Sequence, residues 1–152
     1  ELIVRGPTLM LGYRNKPQES ERALRGGWYR TGDLARADAN GYLTITGRLK
    51  ELIIRGGQNI APAEVEVAVN GFHGVVDCAV VGAPHDKLGE EVAAAVVLRE
   101  GITATEKELR DYTATRLADF KVPRKILLMD EIPKGATGKL QRIGMAQKLG
   151  LA

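Results

Sequence analysis

At 152 residues the chain is long enough to bury one good core, and its 44% apolar and 27% charged content is ordinary for a globular protein. No apolar run approaches the ~20 residues of a membrane-spanning helix, and the single cysteine, Cys78, excludes an intramolecular disulfide, so the expected compartment is cytoplasmic. The net charge of +3 gathers late in the chain: seven basic residues from Lys121 to Lys148 face only Asp130 and Glu131, and no aromatic follows Phe120, which suits an anionic small ligand and argues against nucleic acid.

Leu2 to Arg5 and Leu9 to Tyr13 read as short strands around Gly6-Pro7. Pro17 opens a short helix, Gln18 to Leu24, with Glu19 and Glu21 in its first turn, and Gly26-Gly27 ends it. Strands at Asp33 to Ala37 and Tyr42 to Thr46 flank an Asn40-Gly41 hairpin signal. Beyond Lys50, Leu52 to Arg55 and Gln58 to Ile60 flank Gly56-Gly57 as a second tight hairpin. Pro62 starts a helix with Val65, Val69 and Phe72 at helical spacing. Val75 to Val81 and Val92 to Leu98 are strand candidates too uniformly apolar to have a wet face, with residues 83–91 between them as a polar loop. Thr105 and Glu108 form a capping-box pattern for a helix to about Ala118, with Leu109, Tyr112 and Leu117 inward. Arg124 to Met129 is a last strand and Arg142 to Leu149 a last short helix. The expected fold class is therefore α+β: a short β-rich N-terminal segment, then a compact domain with a β-hairpin and a small sheet packed by about three helices.

Three motifs carry chemistry. The first is Tyr29-Arg30-Thr31-Gly32-Asp33, and the second runs from Gly47-Arg48-Leu49-Lys50 to Gly56-Gly57. The third, Pro133 to Arg142, sets a Thr and two glycines before Lys139. It is not a phosphate-binding P-loop, because Gly138-Lys139 is followed by Leu140 rather than Ser or Thr. Taken singly, each motif reads as a solvated turn or an ordinary strand end. Together and in this order they resemble the adenylate-forming (AMP-binding) superfamily, most of all its acyl-CoA synthetases and fatty-acid or small-acid CoA ligases. Glu1 to Pro7 and Gly12 to Pro17 fit the segment that precedes the aspartate motif in that family, so the resemblance covers nearly the whole chain.

The resemblance implies a division into residues 1–46, the end of a large N-terminal AMP-binding domain; residues 47–50, a hinge; and residues 51–152, a mobile C-terminal domain. It implies a ligase that turns a carboxylate and ATP into an acyl-adenylate, then passes the acyl group to the thiol of CoA. Lys139 takes the place of the catalytic lysine. Asp33 and Arg48 take the ribose and phosphate contacts of AMP or ATP, with Tyr29 near the adenine. Lys50 is the hinge residue, and Gly56, Gly57 and Gln58 line the tunnel for the pantetheine arm of CoA. Ile54 stands where several relatives carry a lysine, and Asn59 where others have Gln or Arg; both departures weaken the carry-over of adenylate contacts from that hairpin, and Ile54 receives none. ATP and CoA are the implied small molecules; Mg²⁺ arrives with ATP and is bound by no residue of this chain, His73 and His85 lacking metal-ligand spacing.

The family's acid pocket and phosphate loop have no counterpart here. The implied partner is thus a large N-terminal domain of the same enzyme, the substrate is a small-molecule carboxylic acid, and the fragment is expected to be inactive alone. Strands severed from their sheet favour exchange with a neighbouring copy into a homo-oligomer. Two alternatives stay open: adenylation onto a carrier-protein thiol, and a non-catalytic interaction domain of the same fold.

Overall fold

The computed structural model describes residues 1–136 and 138–152; Thr137 lies outside them. The chain is α+β and divides into two compact units, Glu1–Lys50 and Glu51–Ala152. In the first unit, β1 (Ile3–Val4), β3 (Trp28–Arg30) and β2 (Leu24–Arg25) form a three-stranded antiparallel sheet in that order. Helix α1 (Pro17–Ala23) begins at its proline, whose missing N–H costs nothing in the first turn. Strands β4 (Asp33–Ala37) and β5 (Leu43–Arg48) pair antiparallel around the Asp38–Gly41 turn. The Asp38 carboxylate accepts the N–H groups of Asn40 and Tyr42 there, as a tight Asx-type turn requires.

Two sequence expectations fail in this unit. Leu9 to Tyr13 forms no strand, and Gly26-Gly27 joins β2 to β3 rather than simply ending a helix. Strand β1 therefore pairs with β3, far along the sequence, instead of with its neighbour. Strand β5 also runs on through Gly47-Arg48, followed by a 3-10 turn at Leu49–Glu51.

The second unit is built on one long antiparallel pair, β8 (Val75–His85) and β9 (Gly89–Leu98). The apolar stretches of the sequence are only their middles. Residues 83–91 are ladder ends closing on a turn at 86–88, not a polar loop. The other edge of β9 is shared by β10 (Lys125–Met129), parallel to it, and by β6 (Ile53–Arg55), which pairs in turn with β7 (Gln58–Ile60). Helix α2 (Pro62–Asn70) starts at Pro62, and α3 (Glu106–Ala114) at a complete capping box between Thr105 and Glu108, ending one turn before Ala118. The last helix, α4, is the single turn Met145–Lys148.

Alternation along β9 explains why neither side of its middle is wet. Val92, Ala94 and Val96 pack with Val65 and Val69 of α2 and Leu109 of α3. Ala93 and Ala95 face the other way, onto Ile132 and Met145 of the C-terminal segment. The small alanines let that irregular segment approach closely, so one strand serves two buried layers. Among the described residues no helix is long and apolar enough to cross a membrane.

Candidate functional site

The β4–β5 register sets Asp33 opposite Arg48. Arg48 Nε meets Asp33 Oδ1 at 2.8 Å, with the carboxylate mostly shielded and the guanidinium exposed. The backbone beneath is fixed from both sides. Thr31 Oγ1 accepts the Asp33 N–H at 3.0 Å and donates to the Leu2 carbonyl at 2.7 Å, while Leu2 N–H donates to the Asp33 carbonyl at 2.8 Å. Gly32 turns with φ +75°, and its carbonyl accepts the Leu49 N–H at 2.8 Å. A carboxylate held this way can accept a pair of vicinal hydroxyls beside a cation, so the residues fit a ribose. Tyr29, half-buried on β3, lines an open groove with Tyr13, Thr31, Gly32, Leu49 and Lys50. Hydrogen bonding with Tyr29 pushes Tyr13 above its ordinary tyrosine pKa. Asp33 and Arg48 lie outside that groove's lining. Lys50 is exposed within the 3-10 turn.

In the second unit the Gly56-Gly57 turn has positive φ at both residues, +55° and +84°, which only glycine adopts freely between antiparallel strands. Three links seat this hairpin against the β8–β9 end: Gly56 N–H donates to the Leu88 carbonyl at 2.8 Å, Ile54 N–H to Glu90 at 2.6 Å, and Arg55 pairs with Glu91 at 2.6 Å. Gly57 has open space where a side chain would stand, and Gln58 is exposed. Burial alone would raise the Glu91 pKa, but hydrogen bonds from Arg55 and the Val92 N–H outweigh it and hold the carboxyl below its ordinary value.

Lys139 lies on a turn closed by Gly138 N–H to the Gly135 carbonyl and Gly135 N–H to the Lys139 carbonyl, each 2.9 Å, with a bridge between Lys134 and Leu140. Its side chain is exposed, and among the described residues it forms no ion pair. The loop stands between buried Ile132 and buried Met145. Arg142, just after it, reaches two carboxylates: Glu51 Oε2 at 2.8 Å and Glu66 Oε2 at 2.8 Å. Glu51 and Glu66 carry no sequence signal for this contact: their ion pairs with Arg142 span 91 and 76 positions, beyond any local pattern. Among the described residues no three His, Cys, Asp or Glu side chains gather as a metal site.

The description "AMP-binding enzyme C-terminal domain" matches residues 64–139, half of the chain and ending on Lys139. The chain belongs to this family. An oxalate–CoA ligase of Arabidopsis thaliana is 42% identical over 147 residues, covering 97% of this chain and 29% of that protein. A long-chain-fatty-acid–CoA ligase of Mycobacterium tuberculosis is 41% identical over 140 residues, covering 92% of this chain and 28% of its own length. The crystal structure of ATP-bound MatB from Rhodopseudomonas palustris superposes with a TM-score of 0.89 at 36% identity, over 95% of this chain and 29% of that one. The chain thus spans under a third of the length of the curated relatives it matches.

Proposed function

We propose that this chain is the C-terminal part of an ATP-dependent acid–thiol ligase of the acyl-CoA synthetase type, acting together with a large N-terminal domain and inactive by itself. The observation that carries the reading is identity of about 40% along nearly the whole chain to two proteins named as CoA ligases. In the first step a carboxylate oxygen attacks the α-phosphorus of ATP and pyrophosphate leaves, forming the acyl-adenylate. In the second the thiol sulfur of CoA attacks the acyl carbon, AMP leaves with the bonding pair, and the thiol proton goes to solvent. Mg²⁺ accompanies the ATP phosphates. Those two named acids, oxalate and a long-chain fatty acid, differ so much in size and polarity that the proposal stays at the level of a carboxylic acid.

In the first step two anions meet, and repulsion must be offset by a cation where they touch. Lys139 supplies it, on a loop exposed enough to deliver and withdraw its ammonium. Asp33 accepts the ribose hydroxyls and Arg48 both orients that carboxylate and faces the phosphate, with Tyr29 against the base. Lys50 absorbs the change in backbone angles when residues 51–152 turn after adenylation, and residues 1–46 stay with the large domain. Gly56, Gly57 and Gln58 then border the pantetheine arm of CoA, where Gly57 leaves room for a thin ligand. The enzyme works in the cytoplasm.

The test uses the full-length enzyme and separates its half-reactions. Lys139→Ala should slow adenylation by roughly 10²–10³ and leave thioester formation from a supplied acyl-adenylate near normal. AMP release dependent on ATP, a carboxylic acid and CoA is expected; dependence on a carrier-protein thiol instead would move the acceptor, and no AMP release with any acid would overturn the ligase reading. Equal loss in both half-reactions would remove Lys139 from its role.

A further inference from the structure

Arg142 stands three residues after Lys139 and is the only basic side chain among the described residues that pairs with two different carboxylates. Its Nη2 meets both oxygens of Glu66 at 2.8 Å and its Nε meets Oε1 at 3.2 Å, a forked contact that fixes the plane of the guanidinium. The remaining arm, Nη1, reaches Glu51 Oε2 at 2.8 Å. Glu66 is itself held: its Oε1 accepts the Val80 N–H at 3.0 Å, from a residue wholly buried in β8. All three side chains are largely shielded, at 20%, 21% and 13% exposure for Arg142, Glu51 and Glu66. A rigid path therefore runs from the core strand through α2 to the end of the Lys139 loop, and on to Glu51, the residue directly after Lys50.

We infer that Arg142 is a positioning residue for adenylation: one guanidinium sets the direction of the Lys139 loop against α2 and ties it to the chain as it leaves the hinge. The inference rests on the ligase reading above. The geometry makes Arg the required cation, because a lysine ammonium has no planar fork with which to hold Glu66 in two places while reaching Glu51. Burial opposes the Arg142 charge, but Glu66 and Glu51 outweigh it, and the guanidinium stays protonated at any working pH. Without it, two shielded carboxylates would be left without their cation. Ile132 and Met145 on either side of the loop are held by burial, which sets no direction; loss of the Arg142 ion pairs removes the directed tie between the loop and α2 and lets the Lys139 ammonium wander.

The experiment compares Arg142→Lys, Glu66→Gln and Glu51→Gln with Lys139→Ala in the full-length enzyme, measuring each half-reaction, the KM values for ATP and acid, and the melting temperature. Misplacing a reacting group by about 1 Å costs roughly 10²-fold. Arg142→Lys should therefore lower the adenylation kcat by roughly that factor, with both KM values within about twofold and thioester formation from supplied acyl-adenylate little changed. Guanidinium added to Arg142→Ala should restore part of the adenylation rate. A purely structural role would instead lower both half-reactions together, in step with the melting temperature, and that result overturns the inference. Should the Arg142 variants fail to fold, Glu51→Gln decides: it removes one anchor while easing the excess negative charge, and unchanged adenylation in it would count against the tie to the hinge. If Lys139→Ala itself leaves adenylation intact, the ligase reading falls; if Lys139→Ala is slow and Arg142→Lys is not, only this inference does.

Discussion

Cys78 shows how far a single side chain's chemistry is set by its surroundings. It is a free thiol on β8, packed in the same cluster as Val80 and Val96. Burial, with Glu66 and Asp77 adding negative charge nearby, pushes its pKa up to about 12 from an ordinary 9.0. The thiolate is the reactive form, so the folded chain should be inert to iodoacetamide at pH 8, and labelling should appear only with denaturant. The sign for stability follows from proton counts. Between pH 9 and 12 the folded state holds a proton that the unfolded state has released, so this group's contribution is complete below about 9 and is lost as pH rises toward 12. A urea midpoint that falls over that range in the parent and less in Cys78→Ala would agree; rapid labelling of native protein at pH 8 would contradict the burial. The apolar run from Val75 to Val81 around Cys78 already points to a buried thiol. Lys139, Asp33 and Arg48 stand out in the sequence only through the family resemblance, and strand register draws the Asp33–Arg48 pair together. The Arg142, Glu51 and Glu66 cluster stayed hidden because pairing across such separations is decided by packing, not by any local spacing.

Among the elements, those with a local cause were legible and those defined by a distant partner were not. Pro62 and the Thr105–Glu108 box fix where α2 and α3 begin, because each satisfies or removes orphan N–H groups within one turn. The lengths of β8 and β9 were underestimated because their ends are polar: Glu90 and Glu91 look like loop residues until the β6–β7 hairpin arrives to use them. The segment Leu9 to Tyr13 has strand composition but no partner in the ladder, and Trp28–Arg30 became a strand because β1 and β2 both pair with it. The Glu91 contact gives an element-level test. Arg55 and the Val92 N–H hold this carboxyl below its ordinary 4.5, so the folded state favours its ionised form. That contribution is present above about pH 4.5 and is lost as pH falls through the lowered folded value. Unfolding midpoints from pH 7 to pH 3 should therefore fall less steeply in Glu91→Gln than in the parent. A parallel pair of curves would mean that Arg55 does not anchor the hairpin through charge. At the start of α3, Thr105→Ala should cost about 1 kcal/mol, read from the shift in the urea midpoint at unchanged slope; a shift near zero would show that the Glu108 carboxylate caps the helix unaided.

For the whole molecule, the contrast between the two units is one of burial. Every core residue, from Ile53 to Met145, belongs to residues 51–152, and not one residue of 1–50 is fully buried. The first unit instead leaves Tyr42, just before β5, and Leu43 and Ile45 on it exposed at 74%, 57% and 53%. Its sheets have two and three strands, below what is stable alone without a packed apolar face. Apolar side chains on one short sheet, with free ladder groups at its edges, are what a sheet shows when its covering layer is supplied from elsewhere. Local opening should accordingly cost little in residues 1–50 and approach the full unfolding free energy in β8 and β9. Amide exchange measured on this chain should be complete within seconds to minutes for β4 and β5, and slowest at Val80, Ala94 and Val96. In a longer enzyme carrying a large N-terminal domain, the same β5 amides should become protected. The alternative cover is a second copy of the chain pairing along the open strand edges, and it is separable: protection of β5 would then grow with protein concentration and vanish on dilution, with a matching change in sedimentation. Slow exchange throughout residues 1–50 in a dilute monomer would show that this unit stands by its own packing, and would remove the physical ground for assigning it to a larger domain.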